Sequence, residues 1–225
     1  MQLGIQSSIA ALSLALLATG AAAMYVESNA YLVGGDTSFA RVANWTIDAP
    51  HPGWSIATEN VNLLDCANVL KAPNALAMRY LDEGTKSAMA PTCLALARAV
   101  TTNAPAASFA WYVEALALSW TSNFAEMNDA LRRSQLTGAN EQWIAELRVA
   151  LAEAHLDQLQ PAVLQAHESD LSMLVLSARG IASIARRYTT DTGFRHRIVA
   201  IVETLSPQSQ QDFLNHVRSA LSKSR

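Results

Sequence analysis

The chain has 225 residues, of which 51% are hydrophobic, with only 9 Gly and 7 Pro and a formal net charge of −3. An Ala- and Leu-rich composition of this kind favours helices over strands, and the length suits one domain with a sizeable core. The charge is uneven: from Arg179 onward there are 8 basic and 3 acidic residues, a balance of +5, which leaves −8 for residues 1–178.

The first 26 residues carry no charged side chain. Such a run is long enough to cross the hydrocarbon layer as a helix, and residues 5–26 would then make the membrane contact. The part from Ile9 to Ala23 also has the length of a signal-peptide core, with Ala21-Ala22-Ala23 as a cleavage site. No Lys or Arg precedes the run, so neither reading has the usual basic flank. Cleaved signal and retained anchor both stay open, with the anchor favoured because Met24, Tyr25 and Val26 extend the span. Either way the remainder is expected outside the cytosol, as a periplasmic domain that is anchored in the inner membrane by a single pass or released by cleavage. For an exported chain of net negative charge, nucleic acid is an unsuitable partner.

Residues 27–58 hold Gly34-Gly35 and Pro50-His51-Pro52-Gly53 and show no helical period, so they read as an extended, turn-rich linker. Trp45 and Trp54 would pack it onto the domain or sit at the lipid interface. Asn44 opens an N-x-T sequon, which matters only in a host that glycosylates.

From residue 59 to 222 the chain reads as helices with short breaks. The first runs from Glu59 to Leu70, a second from Pro73 to Gly84, and a third from Ala88 to Thr101. A fourth takes Pro105 to Ser119, and a fifth takes Phe124 to Leu136, closed by Gly138. The sixth begins near Asn140 and places Trp143, Leu147, Leu151 and Ala154 on an apolar stripe. Asp170 is expected to cap a helix through Tyr188 that is apolar nearly all round and therefore buried, with Gly180 giving room for a neighbouring helix. Two more follow, Thr192 to Leu205 and Ser206 to Leu221, the latter with Ser206 as N-cap and Pro207 at N1.

Cys66 and Cys93 are the only two cysteines. In an oxidising compartment an even count reads as a disulfide framework, and a loop of this length is stabilised by about 3 kcal/mol on closure. The other reading is a pair of separate buried thiols. No C-x-x-C is present, which argues against thioredoxin-like redox chemistry.

Short helices in series suggest helical-hairpin repeats, an all-α array. The segment Ser108 to Ala139, "SFAWYVEALALSWTSNFAEMNDALRRSQLTGA", resembles a tetratricopeptide repeat. Trp111 falls on that family's aromatic position, Ala115 on its small one, and Leu118 where Tyr is usual. Phe124 opens the second helix, Leu131 takes the large apolar site and Ser134 the second small one. Met127 stands where Ala is usual, and Ala139 where Pro is. The resemblance implies a hairpin array with surfaces for partner proteins. The segments "GANEQWIAELRVALAE" and "SARGIASIARRY" are similar to parts of uncharacterised exported proteins that accompany bacterial surface-polysaccharide production. That implies a role in an envelope assembly, as a scaffold among envelope proteins.

The motifs of chemistry are sparse. His51, His155, His167, His196 and His216 match no metal spacing; His155 and His167 lie near Glu153, Asp157, Glu168 and Asp170, the densest ligand-type stretch, which reads as solvated corner residues. No G-x-S-x-G, S-x-x-K or phosphate loop occurs, and Glu114, Glu126 and Asp129 fall at helical positions expected to be exposed. No enzyme activity, cofactor or metal is expected; an enzyme whose site carries no recognisable motif is the third reading, behind a scaffold and an anion-binding accessory protein. The basic end is the one patch with a use. Arg186 and Arg187 lie before a Thr-rich turn and Arg195 and Arg197 after it, so their forks could converge on a carboxylate, sulfate or phosphate group. An anionic polysaccharide or lipid head group would be the ligand. The alternative is ordinary helix C-terminal charge with ion pairs to the acidic part. Trp111, Trp120 and Trp143 are expected in the core between helices rather than as a sugar platform.

Overall fold

The computed structural model describes residues 2–32, 35–50, 53 and 55–223. Gly34, His51, Pro52 and Trp54, each singled out above, lie outside the described residues. Among those described there are twelve α-helices and no strand, so the chain is all-α. Its contacts divide it into two units, residues 1–100 and 101–225. The stretch 59–222, expected as one domain, runs across that division; a hydrophobic period tells which residues are buried but not which helices close around one another.

In unit 1, α1 (Gln2–Leu32), α2 (Ser38–Trp45), α3 (Ile56–Leu70) and α4 (Leu76–Arg79) are followed by α5 (Glu83–Asn103), which runs past the unit's end. The α1 window Ile9–Ser28 has a mean hydropathy of 2.0, and none of it is buried. A helix that is apolar all round and unburied is consistent with a signal or an anchor. The linker expected at 27–58 is not extended throughout. α1 continues to Leu32, and Thr37 caps α2 by accepting the Ala40 N–H at 3.2 Å. The two buried apolar residues of α2, Val42 and Trp45, are three apart, a period too short to stand out between turn residues.

The core of this unit contains Leu63, Cys66, Ala67 and Leu70 of α3 and Met89, Cys93, Leu96 and Ala97 of α5. Cys66 and Cys93 are joined, S–S 2.03 Å. One side of α3 also takes a polar clamp. Asp65 accepts the Arg41 Nε at 2.5 Å, the Arg41 Nη2 at 2.6 Å and the Ser38 hydroxyl at 2.6 Å, binding α2 to α3. The helix expected from Pro73 to Gly84 is reduced to the one turn of α4. Asp82 starts a new helix there by accepting the Thr85 N–H at 2.9 Å, so Gly84 opens α5 instead of ending its predecessor.

In unit 2, α6 (Ser108–Trp120) and α7 (Phe124–Thr137) form a hairpin and pack together. Ser122 turns between them with φ +55°, and Asn123 caps α7. Then come α8 (Gln142–Ala154), a 3-10 turn at Leu156–Gln158, α9 (Pro161–Leu176), α10 (Gly180–Thr190), α11 (Thr192–Glu203) and α12 (Pro207–Lys223). α8 packs on α9 and α10 on α12. One cluster of buried side chains, including Val149, Leu171, Leu174, Ile184, Phe194, Ile198 and Phe213, draws on all of α8 to α12. Each such large side chain contributes about 1.5–3 kcal/mol by leaving water.

Four expectations need correction. Asp170 does not cap a helix: α9 starts at Pro161 and passes straight through it, and the long apolar segment breaks at Ser177. The Ser177 hydroxyl accepts the Gly180 N–H at 2.9 Å to restart α10, and a Cβ on Gly180 would lie 2.7 Å from the Leu174 carbonyl. Gly180 therefore serves a tight corner in its own chain and not a neighbouring helix. In α8, the buried face is Ile144, Ala145, Arg148, Val149, Leu151 and Ala152, while Trp143 is 51% exposed. The stripe was displaced because a charged residue, Arg148, sits in the middle of the true one. Trp111 and Trp120 are half-buried, and the buried aromatic residues of α6 are Phe109 and Tyr112.

Candidate functional site

The C-terminal arginines were expected to converge, and two of them do, on a carboxylate of the chain itself. Glu153, near the end of α8, has a fully buried side chain. His167 of α9 reaches its Oε1 through Nε2 at 2.8 Å. Arg197 of α11 donates Nε to the same oxygen at 3.3 Å and makes a short contact from Nη2 to Oε2. Arg187 of α10 stands 3.7 Å from Oε2 and 3.5 Å from Asp191, with its guanidinium 5.1 Å from the Phe194 ring centroid. One carboxylate thus binds four helices.

The electrostatics follow from this packing. Burial by itself would raise the Glu153 carboxyl, but the hydrogen bonds and positive charges of His167 and Arg197 outweigh it and hold the group below its ordinary value. A carboxylate so surrounded is a poor base, and it has no open side from which to meet a substrate. The arrangement is a structural node.

A second node lies on the other side of α8. Arg148 and Asp170 are each 3% exposed and meet bidentately, Nε–Oδ2 2.7 Å and Nη2–Oδ1 2.7 Å. The same guanidinium donates to the Ser134 carbonyl at 3.2 Å and to the Gly138 carbonyl at 3.3 Å from both Nη atoms. Both carbonyls lie at the C-terminal end of α7, Gly138 being its C-cap, so Arg148 adds to the backbone bonds that close α7 while pairing with α9. Ser134 in turn donates its hydroxyl to the Ser108 carbonyl at 2.8 Å, adding the start of α6. Burial pushes the Asp170 carboxyl up, more than its bonds to Arg148 bring it down.

The remaining candidates separate. Arg186 is exposed and, with Ser183, Arg187, Thr189, Thr190, Asp191 and Ala220, lines an open groove. Arg195 folds back, donating Nε to the Tyr188 carbonyl at 3.2 Å with its guanidinium 5.2 Å from the Tyr188 ring centroid. The four arginines therefore do not form one patch. Of the histidine and acidic stretch, only His167 and Glu153 meet. His155 packs on Phe124 with ring centroids 5.5 Å apart, and Asp157 and Glu168 face water. Among the described residues no group of three or more His, Cys, Asp or Glu is placed to hold a metal ion. Glu114 was expected to be exposed but is buried, taking the Thr101 hydroxyl at 3.3 Å; Glu126 and Asp129 are exposed.

The pattern reading missed Asp65, Glu153, Arg148 and Asp170 as buried partners. The available signal was a charged residue on an otherwise apolar helical face, which such a reading discards as noise. Comparisons with protein-family models, with curated proteins and with solved structures find no match.

Proposed function

We propose that the protein is a non-catalytic scaffold, held by α1 at the outer face of a bacterial inner membrane and working within an envelope assembly of the kind that makes or exports surface polysaccharide. The observation that carries this reading is the α1 window Ile9–Ser28, apolar and wholly unburied, at the head of a stapled helical body. The disulfide agrees with an oxidising address. Helical hairpins such as α6–α7 offer faces for partner proteins, and a repeat array built from them is part of the proposal. Leu136, Trp143 and Leu176 leave large apolar surface on unit 2 in water, where a partner would cover it.

This reading stands ahead of an anion-binding accessory role. Arg187 and Arg197 are already committed to Glu153, and Arg195 lies against Tyr188. The test is photo-crosslinking of full-length protein in its native membranes from positions 136, 143 and 176. Discrete adducts with one or a few envelope proteins are expected. Only uncrosslinked protein, together with salt-sensitive retention on anionic polysaccharide that Arg186→Glu abolishes, favours the accessory role instead.

A further inference from the structure

The residues expected to form a loose linker instead carry a joint. The apolar window of α1 ends at Ser28, and Glu27, one residue inside it, turns its carboxylate onto the start of α3. Ser55, the N-cap of α3, donates its backbone N–H at 2.9 Å and its hydroxyl at 2.5 Å, and Thr58 adds a short hydroxyl contact. All three donors come from one helical turn, at the end where the helix dipole favours negative charge. α1 and α3 also pack against each other. The last turn of the apolar window and the first turn of α3 are thus one piece.

A window of 20 residues at ~1.5 Å each is about as long as the hydrocarbon layer is thick, which sets Glu27 at head-group depth. Ile56 follows Ser55 directly and is 69% exposed, and Met24 and Tyr25 on α1 are exposed beside the same joint. Glu27 and the neighbouring Glu59 are both acidic, which disfavours attraction to anionic lipid as the purpose of the joint. What the joint presents to a bilayer is apolar.

Resting on the reading of α1 as a retained span, we infer that the Glu27 joint seats the first turn of α3 on the membrane surface, with Ile56 in the boundary between head groups and acyl chains. Unit 1 is then fixed to the bilayer and does not hang from a flexible tether. The contact is apolar, and so it is indifferent to lipid charge and to salt.

The experiment uses full-length protein in phosphatidylcholine vesicles, with Ile56→Cys carrying an environment-sensitive fluorophore; the native cysteines are bonded and stay unlabelled. The label at 56 is expected to be quenched by shallow nitroxide lipids, shielded from aqueous iodide and unaffected by added phosphatidylglycerol. Thr58→Val and Glu27→Ala are each expected to abolish the nitroxide quenching while helix content is unchanged. Leu16→Cys, labelled in the same way, reports the span. Quenching at 16 with an iodide-accessible label at 56 overturns the joint and leaves the anchor standing, whereas loss of quenching at both positions overturns both. Quenching at 56 that survives Thr58→Val and Glu27→Ala, or that needs anionic lipid, also overturns the inference.

Discussion

Unit 1 closes around a covalent bond, and unit 2 closes around buried charge. In the first, a short series of helices after α1 has few large side chains to bury, and Cys66–Cys93 joins α3 to α5 across 27 positions. Its main polar clamp, Arg41 on Asp65, is partly open to water on the arginine side. In the second, five helices share one apolar cluster, and Arg148 and Glu153 lie inside the helical packing with their partners around them. The difference follows from size. A small core gains from restricting the unfolded chain, whereas a larger one can bear the desolvation of ions, provided every one of them is paired.

The strongest way to break this comparison is at Arg148. Arg148→Ala leaves Asp170 buried without its cation and removes its bonds to the end of α7, and should cost about 3–5 kcal/mol. Replacing both partners, with Arg148→Met and Asp170→Leu, should recover most of that loss. Denaturant unfolding of the two variants checks it, and an equal loss in both would show that the pair is not what the packing depends on.

Next is the disulfide. Cys66→Ala with Cys93→Ala should destabilise unit 1 by about 3 kcal/mol and leave unit 2 nearly unchanged. Hydrogen exchange resolved by segment reads both at once: faster exchange in α3 and in α5 up to Val100 with α8 to α12 unaffected is the expected pattern.

The smallest effect, and the one that sharpens the contrast, is with pH. Glu153 is held below its ordinary value of 4.5, so its contribution is complete above pH 4.5 and is lost as pH falls through the folded value. Glu59 is raised above 4.5 by burial and by the neighbouring Glu27, so its contribution is complete below pH 4.5 and is lost as pH rises through the folded value. Asp170 is raised by burial and follows the Glu59 sign from its own lower starting point of 3.8. The stability gap between wild type and Glu153→Gln should therefore shrink on acidification below 4.5. The gap between wild type and Glu59→Gln should move the other way over the range just above 4.5. Urea midpoints across pH 3–7 check both, and a common sign for the two carboxyls would contradict the packing around them.

Helix content was legible because apolar residues recur at helical spacing through most of the chain and turn residues interrupt it. The caps at Ser206 and Pro207 and the stop at Gly138 were readable for the same local reason. The buried ions were not. Arg148 and Asp170 are 22 positions apart, and Arg197 and Glu153 are 44 apart, so nothing local links them. A charge on an apolar face has two opposite explanations, a solvated edge or a buried pair, and only the fold distinguishes them. Of the four arginines, Arg187 and Arg197 are drawn together by an anion already within the chain, while Arg186 lines a groove and Arg195 lies against Tyr188. The 170–188 segment failed for a different reason, since a corner built on Gly180 and Ser177 interrupts an apolar run without altering its composition.

The bond between Cys66 and Cys93 also has a consequence for how the molecule can be followed. Oxidation removes two hydrogens and is disfavoured where thiols are kept reduced. On the proposed export, each copy of the protein would carry in its own mass a record of which compartment it has reached. A pulse-labelled population trapped with a thiol-blocking reagent would sort itself into copies still awaiting passage and copies that have arrived.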